Sequence, residues 1–122
     1  MVKINNNSDE PWYGVKCIFQ MDIKARIEGA NLYEERIVLI KAASFDEAIL
    51  KAEKEAEEYT KRDDRITYLG FANAFHIFGN KIKNGSEVYS LIRESKLKPN
   101  KYLDKFYDTG TEHTGYVEEQ DK

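Results

Sequence analysis

The sequence has one cysteine, Cys17, so no internal disulfide can form, and none of the paired Cys or Cys/His spacings of a zinc site is present. Its two histidines, His76 and His113, are far apart and lack an obvious carboxylate helper, which argues against a metal centre. No apolar run reaches membrane-spanning length, and the opening "MVKINNNSDE" lacks the apolar core of a signal peptide. Basic charge is not in excess: Lys and Arg number 19 against 22 Asp and Glu, a net charge of -3. That balance disfavours a surface built to bind nucleic-acid phosphates. No glycine-rich loop follows a strand and opens a helix, so no phosphate cradle is visible. These shortages together set the expectation of a reduced, cytoplasmic protein with no metal, no cofactor, no nucleic acid and no membrane partner.

Against those shortages stand 41% hydrophobic and 12% aromatic residues, enough for one packed core in 122 residues. The polar, Asn-rich residues 1–10 read as a disordered tail, 11–111 as a single α+β domain, and 112–122 as a polar C-terminal tail. "PWYGVKCIFQMDIKA" alternates: Tyr13, Val15, Cys17, Phe19, Met21 and Ile23 share one face, the period of a half-buried strand. "RIEGAN" is a turn, and "LYEERIVLIKA" a second strand, giving an antiparallel hairpin. At "ASFDEAILKAEKEAEEYTKRD" the period changes to helical, with Phe45, Ile49, Ala52, Ala56 and Tyr59 on one face. Ser44 and Glu47 have the spacing of a capping box. "ITYLGFANAFHIF" returns to strand, its small residues on the Tyr68–His76 face leaving room for a helix. The pattern then predicts a bulge at Gly79 with "KIK" extending that strand, an Asn84-Gly85 hairpin turn, and a fourth strand at "SEVYSLIRES". The expected fold is therefore α+β: a four-stranded antiparallel sheet in ββαββ order, the long helix on one face, and a short C-terminal helix.

That short helix decides the meaning of "FYDTGTE". Asp-Thr-Gly is the tripeptide aspartic proteases place at their catalytic carboxylate, but there it leaves a buried strand and ample chain comes after it. Here Pro99 favours a helix start, Leu103, Phe106 and Tyr107 lie on one helical face, and Gly110 suits a left-handed cap. The tripeptide reads as a helix terminus, and the chain is not expected to be an enzyme. Cys17 falls on the apolar face of the first strand, the place of an inert core thiol. His76 lies mid-strand among aromatic and small residues, where a packed histidine is commoner than a catalytic base.

Three polar groupings fit packing less easily. Glu34, Glu35 and Arg36 interrupt the second strand, Arg93 and Glu94 close the fourth, and Tyr107 and Asp108 decorate the last helix. Arg and Tyr are favoured at binding surfaces because they bury area and still hydrogen-bond, so these seven are the partner-binding candidates.

The strings "WYGVKCIF", "LYEERIVLIKAASFDEAILKAEKEAEEY" and "GSEVYSL", in that order, resemble a small bacterial family known as domain of unknown function 4288. The resemblance runs from Trp12 to Ser95 and is carried by Trp12 and Tyr13, Tyr33 to Glu35, and Gly85 to Ser90. It implies the same order of elements and brings no catalytic residues. The expectation is a non-enzymatic protein-binding module, most sharply an immunity or antitoxin-type inhibitor of a toxin, since such proteins are small, acidic and cytosolic. One helix covers one sheet face, so a homodimer through the other face is also expected. The alternative is an enzyme or small-ligand binder that uses the open sheet face near His76 and Tyr68.

Overall fold

In the computed structural model the described residues are 9–79 and 82–114. Residues 1–8 of the expected disordered tail and 115–122 of the polar tail lie outside them. The chain divides into two compact units, Met1–Ser90 and Leu91–Lys122.

The first unit begins with β1 (Trp12–Met21), β2 (Leu32–Lys41), α1 (Phe45–Thr60) and β3 (Ile66–Ile77). The three strands form one antiparallel sheet in the order β2-β1-β3, with β1 in the middle. Alternation along β1 sorts the faces. Tyr13, Val15, Cys17 and Phe19 are buried beneath α1, opposite Val38 and Ile40 of β2 and Ala72 and Ala74 of β3.

The helix seats itself on that face through alanines. Ala48, Ala52 and Ala56 are fully buried, and the partly buried Ala72 and Ala74 pack against the same core. Small side chains on both surfaces let helix and sheet approach closely, so a short side chain at each contact fills the space. This rotates the buried stripe relative to the expected one: Ala48 takes the place of Phe45, which is 48% exposed and meets Tyr13 edge to face at 5.0 Å. The helix start is capped as expected, with the Glu47 backbone N–H donating to Ser44 Oγ at 3.1 Å. The Glu47 carboxylate reaches back one residue beyond the usual box, accepting from the Ala43 N–H at 3.2 Å, and pairs with Lys51 at 3.3 Å. Lys51 also donates to the Lys41 carbonyl at 2.8 Å, so a buried carboxylate is satisfied and the helix start is fastened to the end of β2.

Two expectations about the sheet are corrected. The bulge lies at Gly70, not Gly79: the β1–β3 register shifts between Cys17 and Phe19, and Gly70 takes φ 78°. β3 ends at Ile77, and Ile82 and Lys83 do not extend it. The sheet also has three strands, not four in ββαββ order, because "SEVYSLIRES" does not join it. The reason lies in the turn before it. Ser86 N–H donates to the Lys83 carbonyl at 3.0 Å, closing a turn over Asn84 and Gly85, yet only Gly85 takes a positive φ, 87°. The turns that match strand twist need positive φ at the first central residue, alone or with the second; a turn with positive φ at the second alone splays the strands it joins. Residues 87–92 make no backbone–backbone hydrogen bond among the described residues. Side-chain packing holds the segment instead, with the Tyr89 ring 4.7 Å from that of Phe75.

The second unit contains α2 (Pro99–Phe106), with Pro99 in its first turn as expected. It ends sooner than the sequence suggests, at a Tyr107 cap with extended backbone, φ -140°. Asp108, at φ 52°, is the first left-handed residue, ahead of Gly110 at φ 97°.

The alanine seat sets a clear expectation for mutation. Ala52→Leu should overpack the helix–sheet contact and destabilise the fold by about 1–3 kcal/mol. Phe45→Ala, at a half-exposed position, should cost only about 1 kcal/mol. Denaturant midpoints of the two variants measure both, and the order of the two costs checks the rotated stripe.

Candidate functional site

The sheet has a second face, and α1 does not reach it. It is built from the alternate residues: Trp12, Gly14, Lys16 and Ile18 on β1, Tyr33, Glu35, Ile37 and Leu39 on β2, and Asn73 and Phe75 on β3. An antiparallel sheet with one wet face normally places polar residues there. This face does not. Ile37 is 46% exposed, Leu39 48%, and Leu69 and Phe71, which flank the bulge, 45% and 51%. Together these side chains leave on the order of several hundred Å² of apolar surface in water, the scale of the largest patch on a soluble monomer and the usual mark of an interface.

Its polar residues lie at the strand ends, Gln20, Thr67 and Lys41 among them, and at the centre. Lys16 Nζ meets Glu35 Oε1 at 3.1 Å near the middle of the central strand, and Lys41 lies over the Trp12 ring at the rim. Phe75 covers Gly14, where a Cβ would collide with its ring. This pairing of an aromatic side chain with a cross-strand glycine fills the pleat. Tyr89 then packs on Phe75, with Lys16 Nζ 5.5 Å from its ring centre, so residues 88–90 border the face on the β3 side and the Tyr89 ring covers its Phe75 corner as far as Lys16.

The helix side absorbs the other charges of β2. Arg36 donates to both carboxylate oxygens of Glu55 on α1, at 2.6 and 2.9 Å, and stacks its guanidinium 3.9 Å from the centre of the Tyr59 ring. Tyr59 in turn donates to Glu34 Oε1 at 2.7 Å. Of the three residues that interrupt β2, Glu34 and Arg36 thus tie α1 to the sheet, and Glu35 alone faces the open side. Burial, reinforced by the Glu34 carboxylate, pushes the Tyr59 hydroxyl up to about 12. The hydrogen bonds from Arg36 hold Glu55 below the usual carboxylate range. Along the same seam Tyr68 donates to Glu53 Oε2 at 2.6 Å, and burial pushes its hydroxyl upward. Burial also pushes the Cys17 thiol up, away from the reactive thiolate.

His76 and Tyr68 are not neighbours on the open face. Both sit on the α1 side of β3, eight residues of strand apart: Tyr68 pairs with Phe19 and His76 with Tyr13. The His76 ring lies 5.4 Å from that of Tyr13 and 4.5 Å from that of Phe78. A groove of about 390 Å³ adjoins it at the β3 edge, lined by Phe45, Phe78, Glu87, Val88 and Ser90 among others.

In the second unit, Arg93 Nη1 donates to the Tyr102 hydroxyl at 2.9 Å, and its guanidinium lies 4.0 Å from the centre of the Phe106 ring. Hydrogen bonding to Tyr102 and then Tyr107 raises the Arg93 pKa. Glu94, Tyr107 and Asp108 are exposed, and the Asp-Thr-Gly comes after the helix in a loop where Thr109 donates twice to Glu112 Oε1. Arg93, Tyr102 and Tyr107 are brought together; Glu34, Glu35 and Arg36 belong to the other unit.

The exposed Ile37, Leu39, Leu69 and Phe71 are a feature that charge and tyrosine content do not reveal. Their signal lies elsewhere in the sequence: in "LYEERIVLIK" apolar residues occupy both faces of one strand.

A single helix on one face of a three-stranded antiparallel sheet, with an apolar second face, defines an α+β domain with a surface left to cover. The chain belongs to the family described as "Domain of unknown function (DUF4288)", whose model matches residues 12–90. Comparison with curated proteins and with solved structures returns no match. Among the described residues no helix is long and apolar enough to cross a membrane, and no group of three or more His, Cys, Asp or Glu side chains could hold a metal ion.

The Arg36–Glu55 pair gives a pH dependence with a definite sign. Glu55 is lowered from 4.5, so its contribution is complete above that value and is lost as pH falls through the folded-state value. Both partners are partly exposed, which limits the contribution to about 1 kcal/mol. The stability gap between wild type and Arg36→Met, followed by urea titration, should therefore shrink on acidification below about pH 4.5. A gap that stays constant to acid pH would show that the pair does not hold α1 to β2.

Proposed function

We propose that this chain is a non-enzymatic protein-binding module that docks through the open face of its sheet. The observation that carries this reading is the half-exposed set Ile37, Leu39, Leu69 and Phe71 on a face where an isolated domain would place polar residues. Tyr33 and Trp12 supply an amphipathic rim, and the Lys16–Glu35 pair a polar point at the centre of the face, both of which interfaces use for orientation. Within this class, an immunity or antitoxin-type inhibitor accords with the small size and the net charge of -3. A cytoplasmic place of action accords with a single buried thiol.

A second reading, a small-ligand binder at the β3 edge, has the His76 groove in its favour. Its volume of about 390 Å³ lies in the range of ligand sites. Its three titratable residues, His76, Glu87 and Tyr89, share no hydrogen bond or ion pair with one another among the described residues, so the groove supports binding more than acid–base chemistry.

The open face is tested by pull-down with wild type and an Ile37→Asp, Phe71→Asp double variant. Both positions are already half-exposed, so the variant should fold, which circular dichroism verifies. Proteins retained by wild type should be lost from the variant. Equal retention by a folded variant would contradict docking through this face. Loss of the same proteins on His76→Ala instead would move the site to the β3 edge.

A further inference from the structure

The partner that fits the open face best is a second copy of this chain. We propose that two copies pack open face to open face about a two-fold axis, with the Lys16 of each set against the Glu35 of the other. This rests on the reading of that face as a docking surface and names its occupant.

Charge favours this occupant. The middle of the face holds one cation and one anion side by side, Lys16 and Glu35, 3.1 Å apart. Its other central positions are apolar or neutral, Ile18, Ile37 and Asn73 among them. A strongly acidic or basic partner would find no matching field there, and the net charge of -3 must reside elsewhere on the molecule. An isologous contact needs a patch complementary to itself. A plus–minus pair that straddles the two-fold axis and runs across it meets that need, because the rotation then exchanges the two positions and brings each cation opposite an anion. The pair is placed for this: Lys16 is near the centre of β1, the central strand, with its side chain 23% exposed beside the Tyr89 ring, and Glu35 is 60% exposed.

Area favours it as well. Strands of 10 to 12 residues, three abreast, form a face about 35 Å long and 14 Å wide. With pleated side chains standing on it, that approaches the roughly 800 Å² each partner contributes to a stable complex. Two such sheets stack with their strands within about 30° of each other, and their apolar residues interdigitate as in a sandwich core. The pairing would bury Ile37, Leu39 and Phe71 together, which nothing described in the single chain does.

The test is mass in solution by light scattering or sedimentation, from about 10 to 500 µM, a span that captures weak as well as tight self-association. Wild type should approach twice its monomer mass. Lys16→Glu leaves two anions on each face and Glu35→Lys leaves two cations, so each variant alone should dimerise at least tenfold more weakly. An equimolar mixture of the two should recover dimer, because each face then meets its complement. The double swap Lys16→Glu, Glu35→Lys restores both the internal pair and the contact, so it should dimerise as wild type does, which guards against poor folding of a single variant. A monomeric wild type overturns the proposal, as do single variants that associate like wild type, or a mixture that stays monomeric. A monomeric wild type that still loses its captured proteins on Ile37→Asp, Phe71→Asp would sink self-association alone. A monomer with no such loss would sink the docking reading as well.

Discussion

One helix can cover only one face of a sheet, and the way α1 meets that face governs both the core and the surface left outside it. The contact is made by Ala48, Ala52 and Ala56 against a surface that includes Ala72 and Ala74. Because the middle of this contact holds only the alanines with Val15 and Cys17, the large side chains of the core are set to either side of it, Phe19 against Tyr59 and Tyr68, and Tyr13 against Phe45. The helix is thereby committed to one face. The remaining apolar residues of three strands face away from it.

The polar residues of β2 obey the same division. At the seam between helix and sheet, Arg36 lies between Glu55 and the Tyr59 ring, and Tyr59 is anchored by Glu34. Each group has a partner, so the network holds the end of α1 without leaving a buried charge uncompensated. The open face retains one mid-strand ion pair within an apolar field. Two of the charges that look like a recognition surface, Glu34 and Arg36, are thus used inside the fold, while half-exposed residues of β2 and β3 have the composition of a core.

This inversion explains which parts are legible from residue order. The capped helix can be read from Ser44 and Glu47, and the register of β1 from its strict alternation, because local hydrogen bonding and period-2 burial decide them. The rotation of the helix cannot, since choosing Ala48 over Phe45 depends on the small residues of a strand twenty-four positions further on. The expected fourth strand fails for a backbone reason: Asn84-Gly85 is compatible with several turns, and the one adopted does not pair the strands it joins. The bulge at Gly70 is hidden because a glycine among alternating residues reads equally well as a small facing residue. The site is half legible. Glu35 stands out in the sequence together with Glu34 and Arg36, but only pairing register shows that it alone points to the open side.

The central claim, that a macromolecule covers the open face, is tested most directly by a photo-crosslinking side chain placed at Leu39 and activated in living cells. Leu50, on α1 at comparable exposure, serves as control. Covalent adducts at Leu39 that are absent at Leu50 are the predicted result. No adduct at Leu39, in a chain shown to be folded, would mean that the face stands uncovered and would contradict the claim.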